Sequence, residues 1–117
     1  MKKYVKTHEW IEEQQEGIYA IGLTDHAQSE LGDIVFVDLP KSGDTIKVGE
    51  PFAVVESVKA VSEVYAPVSG LITRVNDELI DQPGKINEAA GEVWLVLVSE
   101  VTAITELLSA EEYLDSL

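Results

Sequence analysis

The sequence contains no cysteine, and this absence removes several kinds of chemistry at once. Disulfide frameworks, thiolate nucleophiles and cysteine-ligated zinc are excluded. Long apolar runs are also missing: the N-terminal "MKKYVKTHEW" lacks the hydrophobic core of a signal peptide, and no segment approaches the length of a membrane span. We therefore expect a cytoplasmic protein that does not enter membranes.

Positive charge is scarce, since 8 basic residues stand against 22 acidic ones, for a formal net charge of −14. A surface this negative repels phosphate backbones, so we expect no nucleic-acid binding. It favours encounters with basic patches on partner proteins. The length of 117 residues and the hydrophobic content of 45% are typical of one packed domain, here residues 1–117, and we expect a monomer.

Most of the chain has the pattern of short strands separated by turn residues. Strand-like runs occupy residues 10–23, 34–40 and 94–101, whereas 79–93 has the composition of an irregular loop. Ser42-Gly43 recurs as Ser69-Gly70, which indicates two similar halves of a small β-structure, because two copies are too few for a solenoid. The pattern predicts an all-β sandwich of antiparallel strands with helical additions.

Two helical regions are predicted at the borders of this β-structure. A short helix is expected near 25–31, with Asp25 and Gln28 as a capping box and Gly32 as its C-cap. The C-terminal region has helical spacing, with a second capping box and an apolar stripe. The box pairs Ser109 with Glu112, and the stripe consists of Leu107, Leu108 and Leu114.

No set of residues in the sequence has the arrangement of a catalytic site. Asp25, His26 and Ser29 suggest a catalytic triad, but neighbours on one short helix cannot orient one another as a nucleophile and its base require. Phosphate-binding glycine motifs are absent as well. The sequence therefore predicts a protein that is not an enzyme and that holds no metal ion.

The stretch "FAVVESVKAVSEVYAP", residues 52–67, predicts a hairpin whose tip carries one lysine, Lys59, in place of the usual Asn or Gly. Lys59 is the only cation between Lys47 and Arg74. Three roles are open to it: a solvated turn residue, a catalytic amine or an attachment point for a covalent group. A catalytic lysine needs a desolvating pocket, which an exposed tip does not offer. Flanking β-branched residues would hold the tip firmly, as attachment requires.

The hairpin "VVESVKAVSEVYAPVSG" closely resembles the lipoyl-attachment hairpin of the glycine cleavage system H proteins. Further segments resemble that family in the same order along the whole chain, namely "THEW", "IGLTDHAQSELGDIVFVDLP", "VGEPFAVVES", "INE" and "LLSAEEYLDSL". The loop "NEAAGEVWL" departs from the family, which usually has a proline and an aromatic residue there. We expect a different loop geometry at this place.

The resemblance implies a hybrid barrel-sandwich of two antiparallel sheets with quasi-twofold symmetry, a short helix near 25–31 and C-terminal helices. It implies that Lys59 carries lipoic acid, attached by a lipoate ligase or a lipoyl transferase. The loaded arm would move an aminomethyl group from a glycine decarboxylase with pyridoxal phosphate to a tetrahydrofolate-dependent aminomethyltransferase. A dihydrolipoamide dehydrogenase with FAD would then reoxidise the arm.

The resemblance also implies a cleft that shelters the loaded arm from water. Its residues would be Thr7, Glu9, Leu31 and Glu63, with Glu9 facing the cationic end of the arm and Leu31 its apolar part. Glu63 is longer than the aspartate-type residue of the family. The alternative is that Glu9 and Glu63 are ordinary surface carboxylates.

Three other functions remain open from the sequence. An H-like carrier could relay lipoyl groups to other dehydrogenase complexes, since it would need the same lysine. A biotin carrier is disfavoured because Val58 and Ala60, not methionines, flank Lys59. An unmodified interaction module is the third alternative, and the mass of the native protein distinguishes it.

Overall fold

The computed structural model describes residues 1–117 and contains nine strands and four short helices. The strands are β1 (Lys3–Tyr4), β2 (Glu9–Gln15), β3 (Ile18–Leu23), β4 (Ile34–Asp38), β5 (Thr45–Ile46), β6 (Pro51–Ser57), β7 (Val61–Tyr65), β8 (Val68–Val75) and β9 (Trp94–Ile104). The helices are α1 (Asp25–Leu31), α2 (Glu78–Asp81), α3 (Lys85–Ala89) and α4 (Ala110–Asp115). None of these helices is long and apolar enough to span a bilayer.

The strands form two antiparallel sheets that enclose one hydrophobic cluster. The larger sheet has the order β1-β2-β3-β9-β8-β5, and the smaller has the order β4-β6-β7. The cluster contains 18 buried residues, most of them from the two sheets, such as Ile21, Val55 and Val98. Alternation along the strands sends one face of each sheet into this cluster and the other to solvent. The predicted hybrid barrel-sandwich is confirmed.

The first copy of the Ser-Gly repeat lies in the turn before β5, whereas the second lies within β8. β5 pairs antiparallel with β8, with Thr45 opposite Leu71 and Ile46 opposite Gly70. A local twofold axis relates strands paired in this way. A Cβ on Gly70 would lie only 2.6 Å from the Val98 side chain and 2.7 Å from the Ser99 carbonyl oxygen. Only glycine therefore fits at this crossing.

Helix α1 occupies the predicted residues, but its N-cap differs from the prediction. Thr24, not Asp25, caps the helix: the Thr24 backbone is extended and its hydroxyl accepts a hydrogen bond from the Ala27 N–H. Asp25 lies inside the first turn, where its carboxylate accepts from the Gln28 amide at 2.9 Å. Threonine and aspartate are both favoured at the N-cap. Because β3 ends directly before Thr24, the extended residue that precedes the helix is Thr24 and not Asp25. Gly32 is confirmed as the C-cap, with φ of 79°.

The prediction of an irregular loop over residues 79–93 was wrong, because this region contains α3 and most of α2. Leu79 and Ile86 are the buried residues of these two helices and join the hydrophobic cluster. The helices have 4 and 5 residues, too few to show an apolar stripe of helical period. Between them lies Pro83-Gly84, which has the composition of a turn. The sequence pattern therefore indicated a loop and not two helices.

One C-terminal helix is present, not several, and its apolar contact differs from the prediction. The capping box at its start is confirmed: Ser109 and Glu112 each accept a hydrogen bond from the other's backbone N–H. Of the predicted leucine stripe only Leu114 lies in the helix, and it is exposed. The buried residue of α4 is instead Tyr113, whose ring stacks on a tyrosine of β1.

Candidate functional site

The turn between β6 and β7 is closed by a serine side chain. The Ser57 hydroxyl, which is buried, accepts from the N–H groups of Lys59 (3.3 Å) and Ala60 (3.1 Å). The Ser57 N–H in turn donates to the Ala60 carbonyl at 2.8 Å. On the outer side of the turn, the Val58 N–H donates to the carbonyl of Asp33 at 3.0 Å. The tip is therefore fixed both internally and to the chain between α1 and β4.

Lys59 itself is exposed at this fixed tip. Its side chain lies over Gly32, because a Cβ built on Gly32 would be 3.7 Å from Lys59 Cε. Gly32 follows Leu31 at the end of α1, so the lysine side chain runs close to the mouth of a neighbouring cavity. An exposed amine on a rigid backbone is accessible to another protein, and no pocket of this chain encloses it.

An asparagine that the sequence did not single out holds the α1–β4 corner under the tip. The Asn87 side chain, from α3, accepts from the Ile34 N–H at 2.9 Å and donates to the Gly32 carbonyl at 2.8 Å. It also donates to the Gln28 side chain at 2.9 Å. These partners are 53 to 59 residues distant in sequence, so no local signal predicts them. For Ser57 a signal exists, because a hydroxyl residue before a glycine-free turn is suited to bind its backbone.

We expect Asn87→Ala to lower the free energy of unfolding by about 1–3 kcal/mol, because the Ile34 N–H and the Gly32 carbonyl lose their partner. The amide of Val58 should also exchange faster with solvent, since it is bonded to this corner. Urea unfolding and hydrogen exchange measure the two effects. Asn76→Ala is the matched control, because the Asn76 side chain makes a single hydrogen bond, to the Trp94 carbonyl. Equal exchange of Val58 in both variants would contradict the role of Asn87.

A cavity of about 360 Å³ opens beside the hairpin, between the chain before β2, helix α1 and the smaller sheet. Its lining residues are Thr7, His8, Glu9, Leu23, His26, Ala27, Glu30, Leu31, Val55, Ser62, Glu63 and Val64. All four residues predicted for a sheltering cleft are in this set. The wall contains both apolar side chains and carboxylates, so the cavity offers contacts for both a hydrocarbon chain and a cation.

Glu9 is the unusual group of this cavity, because its side chain is only 1% exposed. The Thr7 hydroxyl donates to one carboxylate oxygen and the Tyr65 N–H donates to the other, at 3.2 Å. Burial raises the pKa of Glu9 to about 7, and hydrogen bonds from Thr7, from the Tyr65 backbone and from the backbone of Glu9 itself oppose that rise only in part. Glu9 thus changes charge near neutral pH, and it is not an ordinary surface carboxylate.

The other two predicted cleft residues lie at the cavity edge. Leu31 is half-buried at the end of α1, and Glu63 is exposed on β7, where the Tyr65 hydroxyl lies 3.4 Å from its carboxylate. Glu63 also borders a wider cavity of about 790 Å³ between β4, β5 and β6, which none of the other three residues lines. Of the two cavities, only the smaller one is therefore lined by all four predicted cleft residues.

The C-terminal helix contacts the cavity wall through Tyr113. The Tyr113 hydroxyl lies 2.6 Å from His8 Nδ1 and 2.8 Å from the Thr24 hydroxyl. His8 has a left-handed backbone, with φ of 75°, and its ring packs on His26. Burial, with a smaller contribution from His26, lowers the pKa of His8. These bonds fix the conformation of the chain between Thr7 and Glu9.

The structure brings no catalytic constellation together at the residues that resembled a triad. His26 lies 3.6 Å from Glu30, one turn along α1, and Asp25 is bonded to Gln28. No group of three or more histidine, aspartate or glutamate side chains is placed to hold a metal ion.

The family model of the glycine cleavage H-protein matches residues 2–117. The chain belongs to the glycine cleavage H-protein family. Among curated relatives, the glycine cleavage system H protein of Lachnoclostridium phytofermentans is 51% identical over 110 residues, covering 94% of this chain and 87% of the relative. The H protein of Herpetosiphon aurantiacus is 55% identical over 112 residues, covering 94% and 85%.

The fold agrees with this family assignment. The crystal structure of the glycine cleavage system H protein from Mycobacterium marinum superposes with a TM-score of 0.90 at 41% identity. The match covers 97% of this chain and 94% of that structure. The proteins of this family are carrier proteins.

Proposed function

We propose that this H protein carries lipoic acid on Lys59 and moves an aminomethyl group between the enzymes of glycine cleavage. The observation that supports this proposal is the position of Lys59: an exposed amine on a rigid tip, beside a cavity lined by Thr7, Glu9, Leu31 and Glu63. An ordinary turn lysine needs neither the serine-closed tip nor a cavity with a buried carboxyl along the same hairpin.

Attachment requires only the amine of Lys59 from this chain. The Lys59 nitrogen attacks the carbonyl of an activated lipoyl group, held as an acyl adenylate or thioester by a ligase or transferase. The C–N amide bond forms, the bond to the leaving group breaks, and the protonated amine gives up two protons. The exposed tip makes this nitrogen accessible to the active site of another enzyme.

The cavity residues fit a lipoyl arm. Leu31, Leu23 and Val64 supply apolar contacts suited to a hydrocarbon chain, and Glu9 lies at the polar part of the wall. When bound, lipoic acid supplies the dithiol that holds the aminomethyl group. The carboxylate of Glu9 accepts a hydrogen bond from the cationic amine of that cargo. A cation at this place favours ionised Glu9, so the carboxyl releases a proton as the cargo enters.

The enzymes of the cycle act on the carrier in sequence. A pyridoxal-phosphate glycine decarboxylase would load the carrier, and a tetrahydrofolate-dependent aminomethyltransferase would unload it. An FAD-containing dihydrolipoamide dehydrogenase would then oxidise the dithiol of the attached arm to a disulfide, with FAD accepting the two electrons. The chain itself contributes binding and shelter and no catalytic group.

Loading by glycine tests the proposed function directly. We expect the lipoylated protein, incubated with glycine and the decarboxylase, to gain the mass of an aminomethyl group. The added mass should disappear when tetrahydrofolate and the aminomethyltransferase are supplied. Intact-mass spectrometry follows both steps, and the reaction without glycine is the control. A lipoylated protein that is never loaded, while a relative's H protein is loaded under the same conditions, would contradict the proposal.

A further inference from the structure

Four large apolar side chains are exposed on the hairpin that carries Lys59 and on the neighbouring strand β4. Val35, Phe36, Val58 and Val61 are 52–69% exposed, and we call this group the collar. The five other large apolar residues that are comparably exposed lie elsewhere in the chain: Met1, Ile80, Ile104, Leu114 and Leu117. Single exposed apolar residues need no explanation, but a group of four on one hairpin and its neighbouring strand does.

The strand register explains how the collar is assembled. Phe36 lies opposite Glu56, and Glu56 lies opposite Val61, so the three side chains form one row on the outer face of the smaller sheet. Val35 is the extra residue of a bulge between Ile34 and Phe36. A bulge breaks the alternation of a strand, and here it leaves two consecutive apolar residues facing solvent.

Acidic residues border the collar. Glu56 lies between Phe36 and Val61 in the row described above. In the adjacent row, Asp38 and Glu63 lie on either side of Val54. The carboxylates of all three acidic residues are exposed. Asp33 is exposed too, and its carbonyl receives the Val58 N–H at the tip. A complementary surface would therefore be apolar at its centre and basic at its border.

We propose that the collar is the docking surface for the enzyme that acylates Lys59. The lysine amine stands on a stem of four methylenes, so an enzyme that acts on this amine must contact the residues beside Lys59. Enzymes that act on the far end of an attached arm reach their target at a greater distance from the tip. Phe36, the one aromatic residue of the collar, is the expected centre of the contact. This inference rests on the proposed attachment at Lys59.

The test uses unmodified protein and the lipoate-attaching enzyme with its activated lipoyl donor. We expect Phe36→Thr to lower kcat/KM for amide formation, followed as a mass increase, by about tenfold or more, and Val61→Thr to lower it less. Threonine keeps the preference for strands, so the sheet is preserved. Ile104→Thr is the matched control, because Ile104 is a strand residue with the same 52% exposure as Phe36, and it should leave the rate unchanged.

A second measurement records binding without acylation. Lys59→Arg protein cannot be acylated, so it should competitively inhibit acylation of the parent. Adding Phe36→Thr to this variant should raise its inhibition constant by about tenfold or more, whereas adding Ile104→Thr should not.

Several outcomes would overturn the inference. Rates and inhibition constants of Phe36→Thr within twofold of the parent would do so, as would an equal loss in the Ile104→Thr control. Normal acylation combined with slow loading by the decarboxylase would assign the collar to that enzyme instead. A parent dimer that Phe36→Thr converts to monomer would assign it to a second copy. If the parent itself is not acylated, the proposed function fails, and this result is distinct from the others.

Discussion

Substituting Lys59 by arginine is expected to abolish all carrier activity and to leave the fold intact. Guanidinium is not an acceptor for lipoyl transfer, so the variant should gain no lipoyl mass and should not be loaded by glycine. Its positive charge is kept, and exposed substitutions of this kind usually change the free energy of unfolding by less than about 0.5 kcal/mol. Intact mass, glycine loading and urea unfolding measure the three expectations.

A lysine elsewhere in the chain provides the control for this substitution. Lys41 is exposed in a turn that is separate from the hairpin, so Lys41→Arg should be lipoylated and loaded like the parent. The modified parent should also migrate as a more acidic species, because amide formation removes one positive charge and takes the net charge from −14 to −15. A lipoyl mass that persists in Lys59→Arg would contradict the assignment of the attachment site.

Replacing Glu9 by glutamine is expected to change how stability depends on pH. The pKa of Glu9 is about 7 in the fold and near 4.5 when the chain is unfolded, so the folded state keeps its proton longer as pH rises. The free energy of unfolding of the parent should therefore contain a contribution that falls between about pH 4.5 and 7. Each tenfold change in proton affinity is worth about 1.4 kcal/mol, so this loss amounts to about 3 kcal/mol.

Glutamine has no such titration, so the stability of Glu9→Gln relative to the parent should rise across this pH window and level off above it. Urea unfolding at pH 5, 6, 7 and 8 measures the difference in free energy of unfolding between Glu9→Gln and the parent. The other titrating groups are the same in both proteins, so their contributions cancel in this difference. Glu63→Gln is the matched control, since it removes the charge of an exposed carboxylate on the same cavity. A difference between Glu9→Gln and parent that is independent of pH would show that Glu9 is not a buried carboxyl of raised pKa.

The same substitution should hasten loss of the aminomethyl group from isolated loaded protein. A hydrogen bond to a charged partner is worth about 1.5–3 kcal/mol, which corresponds to an acceleration of about tenfold or more. Lipoylation should proceed at the parent rate, because Glu9 is buried in the cavity and absent from the surface around Lys59. Equal release rates from Glu9→Gln and parent would rule out the role of Glu9 in sheltering the cargo.

The parts of the fold with strong local patterns could be predicted from the sequence. The hairpin around Lys59, the extent of α1 and the Ser109–Glu112 capping box all depend on residues within a few positions of one another. The short helices α2 and α3 could not be predicted, because a helix of 4 or 5 residues has too few positions to display a period. The bulge that exposes Val35 depends on pairing with β6 and has no local signature.

In the candidate site, too, some features could be predicted from the sequence and others could not. Family resemblance named Thr7, Glu9, Leu31 and Glu63, and the fold places all four on one cavity. The burial of Glu9 could not be predicted, because it arises from the packing of β2 against the smaller sheet and not from the neighbours of Glu9 in sequence. Asn87 was missed for the same reason, since its partners lie more than 50 residues away.

The mass of the native protein tests the attachment of lipoic acid to Lys59 most directly. The protein should be purified from cells that are able to make or take up lipoate, and measured intact and after proteolysis. We predict one lipoyl increment on the intact chain, found on the peptide that contains Lys59 and absent from Lys59→Arg. An unmodified native protein from such cells, or an increment on any other lysine, would contradict this assignment.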